Sequence, residues 1–441
     1  MKRESSKLKF FAVCIMLLAA VICIQPVSAD SLENANVPIF TIPEKTIVYD
    51  GKAGPEDRAF SEELTGVEIP KYLTPVSSKN TMGKDSTGKS INYDLVKFDN
   101  VISIRSDSVS IPINIYGIEY IADLEKLSLG DENDGIDSYS GTLRGVADSK
   151  VIWTVDENNV VSGFVSYPGE YIVIKPVQES GKNVVSPFHV IYSEYDLEQP
   201  SSPIEFCGVD TETENQFTSL VQGHLNQNNA RATDSGVVYV DVLVVVDEES
   251  YSSYWMALAQ GYIAEANDAN SFGRDDIQIQ FNAYFDSSKK AELSAHPRLD
   301  DYPIVAVREC YPNSLLNTMG MDICVYLGGT DLEGVNDSTV GLGGGRHAWV
   351  QTAHHDPISQ GEYFIKHTFI HELGHIFRAT HEETYVWKTI LGIDQATVME
   401  ASFHGIIVSK LEFSSTYYRG DSTHNNALHL RQNKASVSAY T

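Results

Sequence analysis

The chain has 441 residues, of which 42% are hydrophobic and 21% charged, the balance of a folded protein long enough for two or three cores. With 60 acidic residues against 32 basic ones, its formal net charge is −28. That excess excludes the basic footprint of a nucleic-acid binder and reads as a solvated surface, with a preference for basic substrates as the alternative reading.

Residues 1–29 read as a signal peptide. Met1-Lys2-Arg3 through Lys9 is basic, the apolar run from Phe10 to Ile24 is shorter than the about 20 residues of a membrane span, and Val27-Ser28-Ala29 offers a small-residue cleavage site. Secretion is expected, with no stable membrane insertion after cleavage; an uncleaved anchor is the alternative. Cys23 follows Ala20-Val21-Ile22, which makes a poor lipobox.

Residues 30–231 are β-rich, with strands expected at Ile102–Ile104, Ile111–Tyr116, Val151–Val155, Val160–Val165 and Tyr171–Val177. No catalytic motif stands out there. The acidic loop Gly130-Asp131-Glu132-Asn133-Asp134-Gly135 invites calcium, yet its glycine sits at the wrong offset for an EF-hand, which favours a solvated turn and leaves calcium unassigned.

Loss of the signal peptide removes Cys14 and Cys23 and leaves Cys207, Cys310 and Cys324. In an exported protein Cys310 and Cys324 are expected to pair, closing a loop of about 15 residues worth on the order of 3 kcal/mol. Cys207 is then a free thiol. A buried free cysteine or another disulfide partner are the alternatives.

The polar stretch 226–235 lacks periodicity and marks a linker, in which a cut near Arg231 would release residues 236–441. That second region opens with a buried strand at Val237–Val246, a helix within Tyr251–Asn270 and a strand at Ile277–Phe285, an αβ order, and a further buried strand follows at Asp322–Leu327. Gly341-Leu342-Gly343-Gly344-Gly345-Arg346 lacks the Lys-Ser/Thr ending of a phosphate loop and is expected to shape a rim before an edge strand at His347-Ala348-Trp349-Val350.

The most specific signal is His371-Glu372-Leu373-Gly374-His375, followed by His381. Residues four apart on a helix lie one above the other, so His371 and His375 can share one ion with Glu372 beside them. In an unbroken helix His381 would lie about 15 Å from His371, so the helix must stop near residue 378. The motif can arise by chance in a helix whose histidines are satisfied by core hydrogen bonds. Against that, Phe364, Ile365, Phe369, Ile370, Leu373, Ile376 and Phe377 make the helix strongly apolar, where two histidines and a glutamate are costly unless paired or metal-bound. Glu400 is a rival third ligand. His367 fits a capping or supporting role, and His354, His355 and His404 read as surface or rim residues.

His371-Glu372-x-x-His375-x-x-Arg378-x-x-His381 resembles the extended zinc motif of the metzincin peptidases, and the order of elements resembles their reprolysin (ADAM-like) branch. The resemblance implies an α+β or α/β fold: a twisted mixed sheet with an active-site helix, preceded by a β-rich propeptide. It implies one catalytic Zn2+ on His371, His375 and His381, with Glu372 as general base. The family has glycine where this chain has Arg378; a left-handed arginine there costs on the order of 1 kcal/mol. Met399, in Thr397-Val398-Met399-Glu400, fits the methionine turn beneath the metal. Ala401 stands where astacin-like and serralysin-like relatives carry a tyrosine, so no fifth ligand is implied.

Phe206-Cys207-Gly208-Val209-Asp210 resembles the cysteine-switch segment, whose thiolate holds a precursor latent. Tyr139–Val146 and Tyr171–Pro176 resemble the reprolysin propeptide. In that family an edge strand pairs with the substrate backbone, which points to His347, Ala348, Trp349 and Val350. The expectation is a secreted, latent zinc endopeptidase acting on protein or peptide substrates, with its own propeptide as intramolecular inhibitor. The alternatives are a secreted binding or adhesion protein with an impaired site, for which Arg378 is the hint, and a zinc exopeptidase.

Overall fold

Strands such as Tyr171-Ile172-Val173-Ile174 carry apolar residues on both pleat faces, so the sheet they build needs cover on both sides. The computed structural model describes residues 106–115, 118–130, 134–158, 160–168, 170–179, 185–194, 236–300, 302–329, 340–352, 362–388, 394–403 and 411–440, with short strands at 47–48, 67–68, 93–97 and 204–205. Ten strands form one antiparallel sheet: β1 (Ile47–Val48), β2 (Val67–Glu68), β3 (Tyr93–Lys97), β4 (Ser108–Ile115), β5 (Ile118–Leu127), β6 (Ile136–Leu143), β7 (Lys150–Asp156), β8 (Val161–Tyr167), β9 (Glu170–Glu179) and β10 (Val185–Ser193). Their order is β1-β3-β10-β9-β8-β7-β6-β5-β4, with β2 added to β9. One face packs Ile111, Ile113, Trp153, Val165, Ile172 and Ile174 into a core of its own. The other face, with Phe164, Tyr171, Val173, Val190 and Tyr192, joins the core of the second half.

After the two-residue β11 (Ile204–Glu205), that second half is built on five strands. Its elements are β12 (Val238–Val246), α1 (Trp255–Ala266), β13 (Ile279–Asp286), α2 (Lys290–Ser294), α3 (Pro303–Cys310), α4 (Asn313–Met319), β14 (Ile323–Gly328), β15 (Gly341–Gly344), β16 (His347–Gln351) and α5 (Glu362–Ile376). Beyond them come β17 (Val386–Lys388), β18 (Asp394–Ala396), β19 (Ser402–Phe403) and α6 (Asn426–Val437). The sheet order is β13-β12-β14-β16-β15, parallel except for β15. Along β12, Val242, Val244 and Val246 face α1 and α5, whereas Leu243 and Val245 face the layer of α3. Burial on both faces explains its unbroken apolar run. The result is a mixed α/β architecture.

Two expectations are corrected. His347–Val350 is not an edge: β16 lies between β14 and β15, and all its residues are buried. Among the described residues the edges are β13 and, on the side of β16, β15, the glycine run itself. Its composition is set by the close approach of α5, because a Cβ at Gly341 would lie 2.5 Å from Glu372 Oε1 and one at Gly343 2.4 Å from the Glu372 carbonyl oxygen. Glycine normally weakens a strand, so this edge does not read as one. Cys310 and Cys324 do not pair; both are free thiols in the apolar layer of α3. They pack there as small hydrophobes, and burial pushes the Cys310 thiol up to about 11 and that of Cys324 higher still. Ile102–Ile104, Asp131 to Asn133 and Cys207 lie outside the described residues.

Candidate metal centre

Helix α5 places His371 and His375 one turn apart with their Nε2 atoms 3.1 Å from each other, and His381 Nε2 lies 3.1 Å from the first and 3.0 Å from the second. The other ring nitrogens decide what this triangle means. His371 Nδ1 is 2.9 Å from the Val398 carbonyl oxygen and His375 Nδ1 is 3.0 Å from that of Ala379. A carbonyl only accepts, so each Nδ1–H donates and each Nε2 turns a lone pair toward the common point. Ligands at about 2.0–2.1 Å in a tetrahedral site stand about 3.3 Å apart, so the triangle fits a small divalent ion with slight opening. Burial lowers the pKa of all three, that of His375 to about 3, which keeps the ligand-competent neutral form at neutral pH. Among the described residues this is the one group of three such ligand atoms; Glu400 is not part of it.

The turn that delivers His381 follows from how α5 ends. Arg378 has φ +68°, Ala379 N–H donates to Gly374 O at 3.0 Å, and Arg378 N–H donates to His375 O at 2.9 Å. These are the two bonds of a Schellman stop, with arginine in the left-handed position that favours glycine. The side chain is exposed, so the departure costs local backbone strain and leaves the chain path intact. Asn426, at the start of α6, then clamps the next turn: its Oδ1 accepts from Thr380 N at 2.8 Å and its Nδ2 donates to Thr380 O at 3.0 Å. Nothing in the sequence singles out Asn426, which is one asparagine in a polar tail 45 residues beyond His381.

Glu372 is fully buried between α5 and β15, and burial pushes its carboxyl well above the usual range. Neither of its oxygens has a hydrogen-bond partner among the described residues. Met399 is fully buried beneath the helix, close enough that a Cβ at Gly374 would lie 2.6 Å from its sulfur. Its turn is closed by Glu400 N–H donating to Thr397 O at 3.2 Å. His367 is buried with its ring centroid 5.9 Å from that of His371, outside the ligand triangle. His347 donates to or accepts from nothing in the site; its Nε2 lies 2.8 Å from the Tyr311 carbonyl oxygen. His354, His355 and His404 fall outside the described residues. Close to Cys207 in sequence, β11 pairs with β19, Ile204 opposite Phe403 and Glu205 opposite Ser402, shortly after Met399 in the chain.

Fold and site together define an α/β protein with a three-histidine candidate metal centre backed by a buried carboxylate. No protein-family model matches the chain, and no curated protein matches it. Among solved structures, metalloproteinase-II from Bacteroides fragilis is similar at 11% identity, covering 64% of this chain and 84% of that one, with a TM-score of 0.36. A chain from a chaperone–substrate complex is similar at 10% identity over 25% of this chain and 86% of that one, with a TM-score of 0.19. Likenesses this distant assign no family, and the chemistry is read from the site's own geometry.

Proposed function

We propose that the chain is a secreted zinc-dependent endopeptidase made as a latent precursor, with residues 1–29 as its signal peptide. The observation that carries this reading is the convergence of three Nε2 lone pairs beside the buried carboxylate of Glu372. His371, His375 and His381 would hold zinc through three neutral imidazoles, and the ion would supply a Lewis acid and an acidified water. Glu372 takes the proton of the attacking water and hands it to the leaving amine. Its raised pKa brings it nearer the pH at which such transfers are balanced. β15, an edge strand among the described residues that runs against Glu372, takes an extended peptide backbone by β-augmentation, the role sequence reasoning gave to β16. Met399 packs under the ligand helix and Val398 orients His371.

The pairing of β11 with β19 supports latency, because it brings the segment leading to Cys207 beside the strand that follows Met399. Cys207 then supplies a thiolate for the open metal position. The reading is tested by hydrolysis of casein after removal of that segment: activity that stops on chelation and returns with one equivalent of zinc supports it, and chelator-insensitive hydrolysis contradicts it.

A further inference from the structure

The ten-stranded sheet is apolar on two faces, and only one of them closes a core of its own. Phe164, Tyr171, Val173, Phe188, Val190 and Tyr192 on the other face share a core with Tyr262 of α1 and Phe369 of α5. The contact is close: a Cβ at Gly261 of α1 would lie 3.2 Å from the Phe164 ring. Departure of the sheet would expose this face as one contiguous apolar patch, of a size that soluble proteins rarely leave open.

Charged groups tie the same interface. Lys366 of α5 is fully buried, its Nζ 3.5 Å from the ring centre of Phe164 and 4.5 Å from that of Tyr171, and it donates to Glu265 of α1 at 3.2 Å. Lys150 of β7 reaches Glu265 at 2.6 Å and Asp268 at 3.0 Å. Lys175 of β9 pairs with Glu362, the first residue of the ligand helix, and Tyr262 donates to the same carboxylate at 2.6 Å. Glu194, just past β10, accepts from Tyr363 N–H at 2.7 and 2.8 Å and also from Glu362 N–H, so the sheet region caps the helix that carries His371, Glu372 and His375.

We infer that the N-terminal sheet is a permanent partner of residues 236–441, bound where Phe164 and Glu194 of the sheet region meet Glu265 of α1 and Lys366 and Tyr363 of α5, and that it stays bound after the linker is cut. Cutting near Arg231 therefore yields a two-chain protein, not a released C-terminal half. The retention does not depend on the metal chemistry, so its test reads association alone.

The test uses the full chain with a specific protease site introduced between Asn228 and Asn229, cut in native buffer. Gel filtration should give one peak containing both fragments at the mass of the uncut chain. Peptide mapping after treatment with an amine-reactive ester should find Lys366 unmodified in cut and uncut protein alike, and modified only in denaturant. Recovery of the C-terminal fragment without the N-terminal one, whether folded or aggregated, overturns the inference, as does modification of Lys366 in the cut protein under native conditions.

Discussion

His371 and Val398 are joined by a hydrogen bond of 2.9 Å from the imidazole Nδ1 to the carbonyl oxygen, so the turn that carries Met399 also fixes the tautomer and aim of the His371 ring. Met399 and Val398 thus act on the helix from one side, one by packing against Gly374 and the other by orienting His371. Gly374→Ala would place a methyl 2.6 Å from the Met399 sulfur. Overpacking of this kind costs about 1–3 kcal/mol, and because the sulfur must move, the turn moves with it. The expected outcome is a lower denaturation midpoint together with weaker metal binding, measured by urea unfolding and by competition with a chromophoric chelator.

Asn426 holds the loop before His381 through both the oxygen and the nitrogen of its side-chain amide. Asn426→Ala leaves two backbone groups of Thr380 without these partners, at about 1–3 kcal/mol. Loss of such a supporting contact typically weakens metal affinity about 10–100-fold. Asn426→Asp keeps the acceptor and loses the donor, so an intermediate affinity is expected; equal affinity in all three proteins would remove Asn426 from the site.

Arg378 is left-handed at φ +68°. Arg378→Gly relieves about 1–2 kcal/mol of backbone strain and gives back roughly 0.5–1 kcal/mol in unfolded-state entropy. A small net gain in stability with unchanged zinc affinity is expected from denaturant melts and metal titration. A loss of stability would mean that the arginine side chain holds the turn.

Burial lowers the pKa of His347 from 6.5 to about 4. The unfolded chain therefore binds a proton at this residue over a range where the folded protein does not, and stability rises with pH across that window. The contribution is present above 6.5 and is lost as pH falls toward 4, by about 2 kcal/mol between pH 7 and 5. His347→Gln, which keeps a donor for the Tyr311 carbonyl, should flatten the stability profile between those values when unfolding is followed at each pH.

How much of this was legible in the sequence differs from feature to feature. The histidine triangle was legible in the spacing of His371, His375 and His381, because residues four apart share a helix face and a helix that stops near residue 378 can turn the third one back to them. Strands β9 and β12 were legible from apolar runs, although the reason for the run in β9, a second buried face shared with α1 and α5, was not. Edge strand β15 was hidden because α5 lies so close that its side chains at Gly341 and its backbone at Gly343 leave no room for a Cβ. Helix α6 was missed because it buries only Asn426, Ala427, Leu430, Lys434 and Val437, a thin stripe with two polar members. The pairing of Cys310 with Cys324 was inferred from an odd cysteine count, which carries no information about where α3 and β14 place their thiols.

The most direct test of the central claim compares the full chain with its Glu372→Ala variant, each cut at introduced sites between Gln199 and Pro200 and between Asn228 and Asn229 so that the Cys207 segment can leave. The measurement is internal cleavage of a long peptide by the zinc-loaded proteins. Loss of a general base lowers rates about 10²–10⁴-fold, so the account predicts cleavage by the parent and a drop of that size in the variant while one zinc is retained. Equal rates in the two proteins, or no cleavage by a parent that holds zinc, would contradict it.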